Sequence, residues 1–327
     1  MINLGIVGAT GMVGRTILEI MEERNFPIKN LYLFASHKSE GTVIEYNNRP
    51  YKVEVLNENS FNKDLDMLLF SSGGKISKEY APIAREKGII VVDNSSCWRM
   101  EDWVPLIVPE VNPEAINKHR GIISNPNCST IQAVVPLKLL KDKYGLERIV
   151  FSTYQSVSGS GVGGLMDLEK GINSNYHNKY PYPIAYNVLP HIDDFLENGY
   201  TKEEMKMIEE VKKILDDENV RITATTARVP VKYGHSISAN IELKNKFNLE
   251  DIYELFRKSN AIEVLDDTNN NIYPMPIIAE GSDKIYLGRI RRDFSLENGL
   301  NIWIVADNIR KGAATNTIQI AELLLNK

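Results

Sequence analysis

Gly5-Ile6-Val7-Gly8-Ala9-Thr10-Gly11-Met12-Val13-Gly14 stands almost at the start of the chain, and its reading decides the fold. Ile2 to Val7 reads as a short buried strand, and Arg15 to Arg24 carries a helical pattern. Strand, glycine turn and helix in that order make a dinucleotide-binding unit. The glycines allow a tight turn and a close approach of backbone to a pyrophosphate at the helix N-terminus. The spacing is G-x-x-G-x-x-G, a variant of the commoner G-x-G-x-x-G; the other reading of such a turn is a bare strand-to-helix connection with no ligand.

The next segments extend this unit. Asn30 to Ala35 reads as a second strand, followed by Ser36-His37-Lys38-Ser39. An NAD site usually places an acidic residue here for the ribose 2′-OH. Glu40 comes only later, and two hydroxyls with a lysine suit an added 2′-phosphate, which favours NADP. Leu65 to Ser71 is a continuous apolar run, as expected of a parallel strand buried on both faces. Ser72-Gly73-Gly74 ends it, and a helix from Ile76 to Lys87 follows. Ile89 to Val92, Leu106 to Val108 and Ile122 to Ile123 read as further strands. Alternating strands and helices of this length predict an α/β class with an open parallel sheet.

Ser124-Asn125-Pro126-Asn127-Cys128-Ser129-Thr130 closes that series. Apolar positions from Thr130 to Tyr144 predict a buried helix despite Pro136. A thiol at a helix N-terminus faces unpaired N–H groups and the positive end of the macrodipole, both of which favour the nucleophilic thiolate. The alternative is a buried, inert cysteine.

Beyond Cys128 the pattern changes. Ile149 to Gln155 reads as a strand, followed by the glycine-rich run Ser156 to Gly164, read either as a backbone surface for a ligand or as a mobile loop. Residues 173–190, rich in Tyr, Asn and Pro, read as an excursion or a subunit contact. Thr201 and Glu204 form a capping box that starts a helix over 202–216, on which Glu203 and Lys206 share a face. Arg221 to Val231 alternates as a strand carrying Arg228, with His235 seven residues on. On a regular strand that odd separation puts the two side chains on opposite faces. A shared site therefore requires a break, and Pro230 and Gly234 are the candidate points. Ile285 to Leu296 and Leu300 to Val305 flank Asn298-Gly299 as a hairpin, and a final helix runs over 313–325. The second half thus predicts a mixed or antiparallel sheet with helices on one face.

The composition narrows the chemistry. The net charge of -5 argues against a nucleic-acid partner. Two cysteines give no disulfide framework, and Cys97 and Cys128 lack the spacing of a zinc site, so no metal is expected. No apolar run is long enough to span a bilayer and no basic leader opens the chain, which places it in the cytoplasm with no membrane partner. A nucleophile and a nucleotide fold together point to oxidation or reduction at the acyl level. Such chemistry needs a proton shuttle, and of His37, His119, His177, His191 and His235 the last, near Arg228, is the best placed.

Six stretches resemble the aspartate-β-semialdehyde dehydrogenase family, over essentially the whole chain: GIVGATGMVG (5–14), VVDNSSCWR (91–99), SNPNCSTIQ (124–132), STYQSVSGSG (152–161), TARVPVKYGH (226–235) and DNIRKGAATNTIQIAE (307–322). The resemblance implies a Rossmann-type domain over 1–127 plus 308–327. It also implies an α+β catalytic and dimerisation domain over 128–307, similar to the C-terminal domain of glyceraldehyde-phosphate dehydrogenase. It makes Cys128 the thioester nucleophile, Gln155 an orienting residue and His235 the acid–base catalyst. It gives the substrate carboxylate to Arg228 and the amino group to Glu203. Arg99, Lys206 and Asn127 would bind phosphate, and Thr10, Gly11, Met12, Val13, Lys38, Ser39, Ser158, Gly159 and Asn316 would contact NADP. The implied reaction is NADPH-dependent reduction of aspartyl phosphate to aspartate semialdehyde by a homodimer, in lysine, threonine, methionine and diaminopimelate biosynthesis. Reduction of another acyl phosphate, such as acetylglutamyl phosphate, and nucleotide sensing without chemistry are the competing readings.

Overall fold

In the computed structural model, which describes residues 1–325, the opening strand β1 (Ile2–Val7) is buried from Asn3 onward. After it come α1 (Met12–Glu23), β2 (Ile28–Ala35), a small hairpin of β3 (Val43–Tyr46) and β4 (Arg49–Lys52), β5 (Glu54–Val55), β6 (Met67–Phe70), α2 (Gly74–Glu86), β7 (Ile90–Asp93) and β8 (Ile122–Ser124). Six of these strands form one sheet in the order β5-β2-β1-β6-β7-β8, parallel at every pairing. The apolar runs are continuous because successive side chains enter different cores. Ile6, Leu33, Leu69, Val92 and Ile123 join one cluster, and their chain neighbours Val7, Phe34, Phe70, Val91 and Ile122 join another. The strand order reverses beside β1, so the carboxyl ends of β1, β2 and β6 frame the crevice where open α/β sheets take ligands.

The chain divides into two compact units, Met1–Asn127 with the stretch from Ala313 onward, and Cys128–Gly312. The second contains α3 (Cys128–Tyr144), β9 (Leu146–Gln155), α4 (Val162–Gly171), α5 (Lys202–Leu215), β10 (Arg221–Arg228), β11 (His235–Leu243), α6 (Leu249–Arg257), β12 (Ile262–Val264), α7 (Pro276–Ala279), β13 (Ile285–Asp293) and β14 (Gly299–Ala306). Its sheet runs β10-β9-β11-β14-β13-β12, parallel in the two edge pairs and antiparallel between them. The expectation of a mixed sheet is met. Helix α3 packs on β11, β14 and β9 and also on α5 and α6; its residues from Ser129 to Leu137 are all buried, so that stretch has no solvent face to alternate with. The last helix, α8 (Asn316–Leu325), returns to the first unit, where Ile318, Ile320 and Ala321 share a core with Ile17 and Met21 of α1.

Four expectations need correction. Leu106 to Val108 is no strand: only Leu106 bridges to Ser124, because Pro105 and Pro109 flank the segment and the Asn112 side chain takes the Val108 N–H. Strand β10 stops at Arg228, short of Val231. The hairpin loop is longer than an Asn-Gly turn, since β13 ends at Asp293, whose carboxylate accepts from the Ser295 N–H and hydroxyl. The final helix begins at Asn316, after a π-helical turn over Arg310–Thr315. The last two residues of the returning segment expected over 308–327 lie outside the described residues.

Candidate active site

The nucleotide turn is built from backbone. Gly8 has φ +85, a conformation open to glycine, and the N–H groups of Gly8 and Ala9 donate to the Phe34 carbonyl. A Cβ on Gly14 would lie 2.3 Å from the Gly8 oxygen, so this third glycine lets α1 close on the turn. Gly11 caps α1 without a side-chain acceptor, which leaves the first-turn N–H groups available to an anion. A cavity of ≈ 480 Å³ opens here, lined among others by Gly8, Thr10, Gly11, Ser36, His37 and Ser71. Thr10 and Ser39 hydroxyls lie 3.1 Å apart, Lys38 is exposed on the short turn His37–Ser39, and Met12 and Val13 are half-buried in the first turn of α1. Asn316 donates to the Ile107 carbonyl (2.9 Å) and to Asn125 Oδ1 (2.7 Å), while its own buried Oδ1 has no partner among the described residues. A glycine cradle and an open buried acceptor, both in this first unit, fit the phosphate and carboxamide groups of a nicotinamide dinucleotide.

Arg99 and Asn127 belong to this first unit and are buried; Arg99 donates to the Asn94 carbonyl at 2.7 Å. The nearby Cys97 thiol is pushed up, by burial first and by the Asp93 carboxylate second.

In the second unit Cys128 is the first residue of α3 and remains partly exposed, at the helix end whose field favours an anion. A Cβ on Gly312 would come within 2.8 Å of the Cys128 Cβ, so only a glycine lets the chain pass there. Gln132 stands one turn further along the same helix face and donates to the His235 carbonyl at 3.2 Å.

Two hydrogen-bonded arms meet this helix. One starts at Gln155, the last residue of β9, whose amide donates to Ser129 Oγ (2.9 Å) and to Glu203 Oε1 (3.2 Å). Glu203 Oε2 holds Lys206 Nζ at 3.1 Å, and Lys206 reaches Asp193 Oδ2 at 2.7 Å. Burial pulls the Lys206 ammonium down, but Glu203 and Asp193 outweigh it and hold the group above its ordinary value. The expected capping box sets α5 in place. Thr201 and Glu204 exchange both bonds, and Glu204 also accepts from the Thr226 N–H of β10 at 3.0 Å.

The other arm joins Arg228 and His235. Strand β10 ends, Val231 N–H turns back to the Val229 carbonyl, and Gly234 takes φ +84 before β11 begins. That break turns both side chains toward Gly159, where an added Cβ would sit 2.9 Å from Arg228 Nη1 and 3.3 Å from His235 Nε2. Arg228 donates to the Ser156 carbonyl at 2.7 Å and keeps a buried Nε–H with no partner among the described residues. His235 is fully buried. Its imidazole is held well below the ordinary histidine range, chiefly by burial and then by the Arg228 charge.

Ser156 offers His235 Nδ1 two different groups, a backbone N–H at 3.0 Å and a hydroxyl at 3.0 Å. The N–H suits an unprotonated Nδ1, and the hydroxyl oxygen suits an Nδ1–H. Either protonation state of the ring thus finds a partner. Behind it, Asn308 Oδ1 accepts from Ser156 Oγ (3.0 Å), Ser158 Oγ (3.2 Å) and Gly234 N–H (2.9 Å). Ser158, expected at the cofactor, spends its hydroxyl inside this network. Ser129, Ser156, Asp193 and Asn308 were not singled out from the sequence. Ser129, Ser156 and Asn308 lie inside motifs that were, but nothing local marks their partners.

Two family models match the chain: semialdehyde dehydrogenase, NAD binding domain, over residues 3–119, and semialdehyde dehydrogenase, dimerisation domain, over residues 137–311. The chain is 52% identical to an aspartate-semialdehyde dehydrogenase of Aquifex aeolicus, covering 99% of this chain and 98% of the relative. It resembles the crystal structure of aspartate semialdehyde dehydrogenase II from Vibrio cholerae complexed with ASA, at TM-score 0.97 and 43% identity, over 100% of this chain and 99% of that one. A third likeness is to the Candida albicans aspartate semialdehyde dehydrogenase with NADP, at TM-score 0.79 and 25% identity, over 99% and 98%.

Proposed function

The chain belongs to the aspartate-semialdehyde dehydrogenase family, and from that premise we propose that it reduces L-aspartyl 4-phosphate to L-aspartate 4-semialdehyde, with NADPH, through a thioester on Cys128. The observation that carries this reading is a cysteine at the head of α3, on the same helix face as Gln132, whose amide donates to the backbone carbonyl of His235, a residue whose buried imidazole shares the space at Gly159 with the Arg228 guanidinium.

The Cys128 thiolate adds to the acyl carbon, the bond to the phosphate oxygen breaks, and inorganic phosphate leaves. Arg99, Asn127 and Lys206 are the residues proposed to hold that phosphate. Arg228 takes the α-carboxylate with its open Nε–H edge, and Glu203 faces the amino group. A nicotinamide held by the first unit would supply the hydride that reduces the thioester carbon. His235 then gives a proton from Nε2 to the departing sulfur: the oxyanion left by hydride addition re-forms the carbonyl, the carbon–sulfur bond breaks, and the aldehyde leaves Cys128 as the thiol. Charge couples these steps. The Arg228 guanidinium is the second force holding down the His235 proton affinity, and a bound carboxylate neutralises it. Substrate therefore raises the tendency of His235 to carry the proton it must deliver.

Thr10 and Gly11 line the cavity after β1 that would take the dinucleotide, Met12, Val13, Lys38 and Ser39 are the further proposed contacts, and the Asn316 Oδ1 would accept from an amide of the cofactor. The exposed Lys38 supports NADP over NAD. The unit of residues 128–312 is the catalytic and dimerisation part of a homodimer. No helix among the described residues is long and apolar enough to cross a membrane, and both cysteines are free, which supports a cytoplasmic place in amino-acid biosynthesis.

Phosphate-dependent NADP reduction with aspartate semialdehyde tests the reading. Turnover with acetylglutamate semialdehyde and none with aspartate semialdehyde would overturn it.

A further inference from the structure

Lys206 is assigned above to phosphate, yet its ammonium already faces two carboxylates, Glu203 Oε2 at 3.1 Å and Asp193 Oδ2 at 2.7 Å. One ammonium is thus shared by two carboxylates. A phosphate brought to it meets repulsion unless one carboxylate withdraws.

The two are not equally free to do so. Glu203 lies in the first turn of α5, its side chain is 7% exposed, and it also accepts from the Gln155 amide. Asp193 lies on an irregular segment before α5, and its side chain is 35% exposed. Its backbone sits in the left-handed region, φ 68, a conformation that asparagine and glycine share with little strain. The adjacent Asp194 is occupied elsewhere, at 2.6 Å from Lys202 Nζ, so it cannot replace Asp193 on Lys206.

We propose that Asp193 is a latch on Lys206, a carboxylate that stands where phosphate binds and that phosphate displaces. This rests on the assignment of Lys206 to the phosphate site. In the reductive direction the acyl phosphate opens the latch on arrival. When phosphate departs, Asp193 returns to Lys206 and restores the second carboxylate on a largely buried ammonium.

The sign of the expected effect separates this from a structural role. Removing a competitor tightens phosphate, whereas loosening a scaffold weakens it. In phosphate-dependent oxidation of aspartate semialdehyde, Asp193→Asn and Asp193→Gly are each expected to lower the phosphate KM about threefold at low salt. The advantage shrinks as KCl is raised, because it is Coulombic. Lys206→Gln is expected to raise the phosphate KM by roughly tenfold or more. The concentration of inorganic phosphate that half-protects Cys128 from alkylation gives the same comparison without turnover. If Lys206→Gln leaves both readings unchanged, the phosphate assignment fails and the latch with it. If Lys206→Gln weakens phosphate while both Asp193 variants leave it unchanged or weaken it, the latch alone is overturned.

Discussion

The nucleotide turn and the acyl site of this chain are built by opposite means. The turn is almost wholly backbone: seven consecutive residues, Gly8 to Gly14, with a positive φ at Gly8 and no room for a Cβ at Gly14. The acyl site is almost wholly side chain, drawn from segments as far apart as Ser129, Ser156, Glu203, His235 and Asn308 and tied by hydrogen bonds. A backbone site fails when an atom is added, because nothing in a tight turn can move aside. A side-chain site fails when an atom is removed, because each group holds the next.

The largest effect expected from that contrast is on the acyl site alone. Cys128→Ala removes the sulfur and should reduce turnover roughly 10⁴-fold or more, while NADPH binding, followed by nicotinamide fluorescence, is unchanged. Reductase activity that survives the substitution removes the thioester from the mechanism. The reverse test adds one methyl group. A Cβ at residue 14 would lie 2.3 Å from the Gly8 oxygen. Gly14→Ala should therefore raise the NADP KM about tenfold to a hundredfold. The phosphate KM should stay in place; a change in both would show that the two sites are not separable in this way.

Next comes the network behind His235. Ser156→Ala keeps the N–H toward Nδ1 but loses the hydroxyl that receives Nδ1–H, and Asn308→Ala releases that hydroxyl. Each should slow turnover about tenfold, within the range of general acid–base catalysis. Since they act through one hydrogen-bond chain, the double variant should be little worse than either single. Fully additive losses would mean that the two residues serve different steps.

What the sequence disclosed follows the same division. The glycine turn, the doubly buried strands and the Thr201–Glu204 capping box are local patterns of residue type and spacing, and each stands as read. The parity argument on Arg228 and His235 required a break between them, and Gly234 with φ +84 is part of it. Asn308 left no such trace, because its three donors come from residues 156, 158 and 234, and no periodicity links them. Asp193 was equally hidden: an aspartate before a helix reads as a solvated surface group until its contact with Lys206 is seen. Leu106 to Val108 shows the converse, an apolar triplet whose flanking prolines outweigh its strand propensity.

The smallest effect concerns stability, and it compares the buried imidazole with an unfolded one. His235 is held well below 6.5 in the folded chain, by burial first and Arg228 second. Unfolded, its value returns to about 6.5. Above that pH neither state binds the proton, and the native state bears no penalty. Below it the unfolded chain takes up a proton that the native site refuses, so stability falls with pH through the window beneath 6.5. From pH 6.5 to 5.5 this one group should account for about 1 kcal/mol of lost stability. Gln in its place cannot titrate. Denaturant unfolding of wild type and His235→Gln at several pH values should therefore give curves that run parallel above pH 6.5 and converge below it. Parallel curves down to pH 5.5 would mean that the imidazole protonates in place, and that burial and Arg228 do not keep it neutral before substrate arrives.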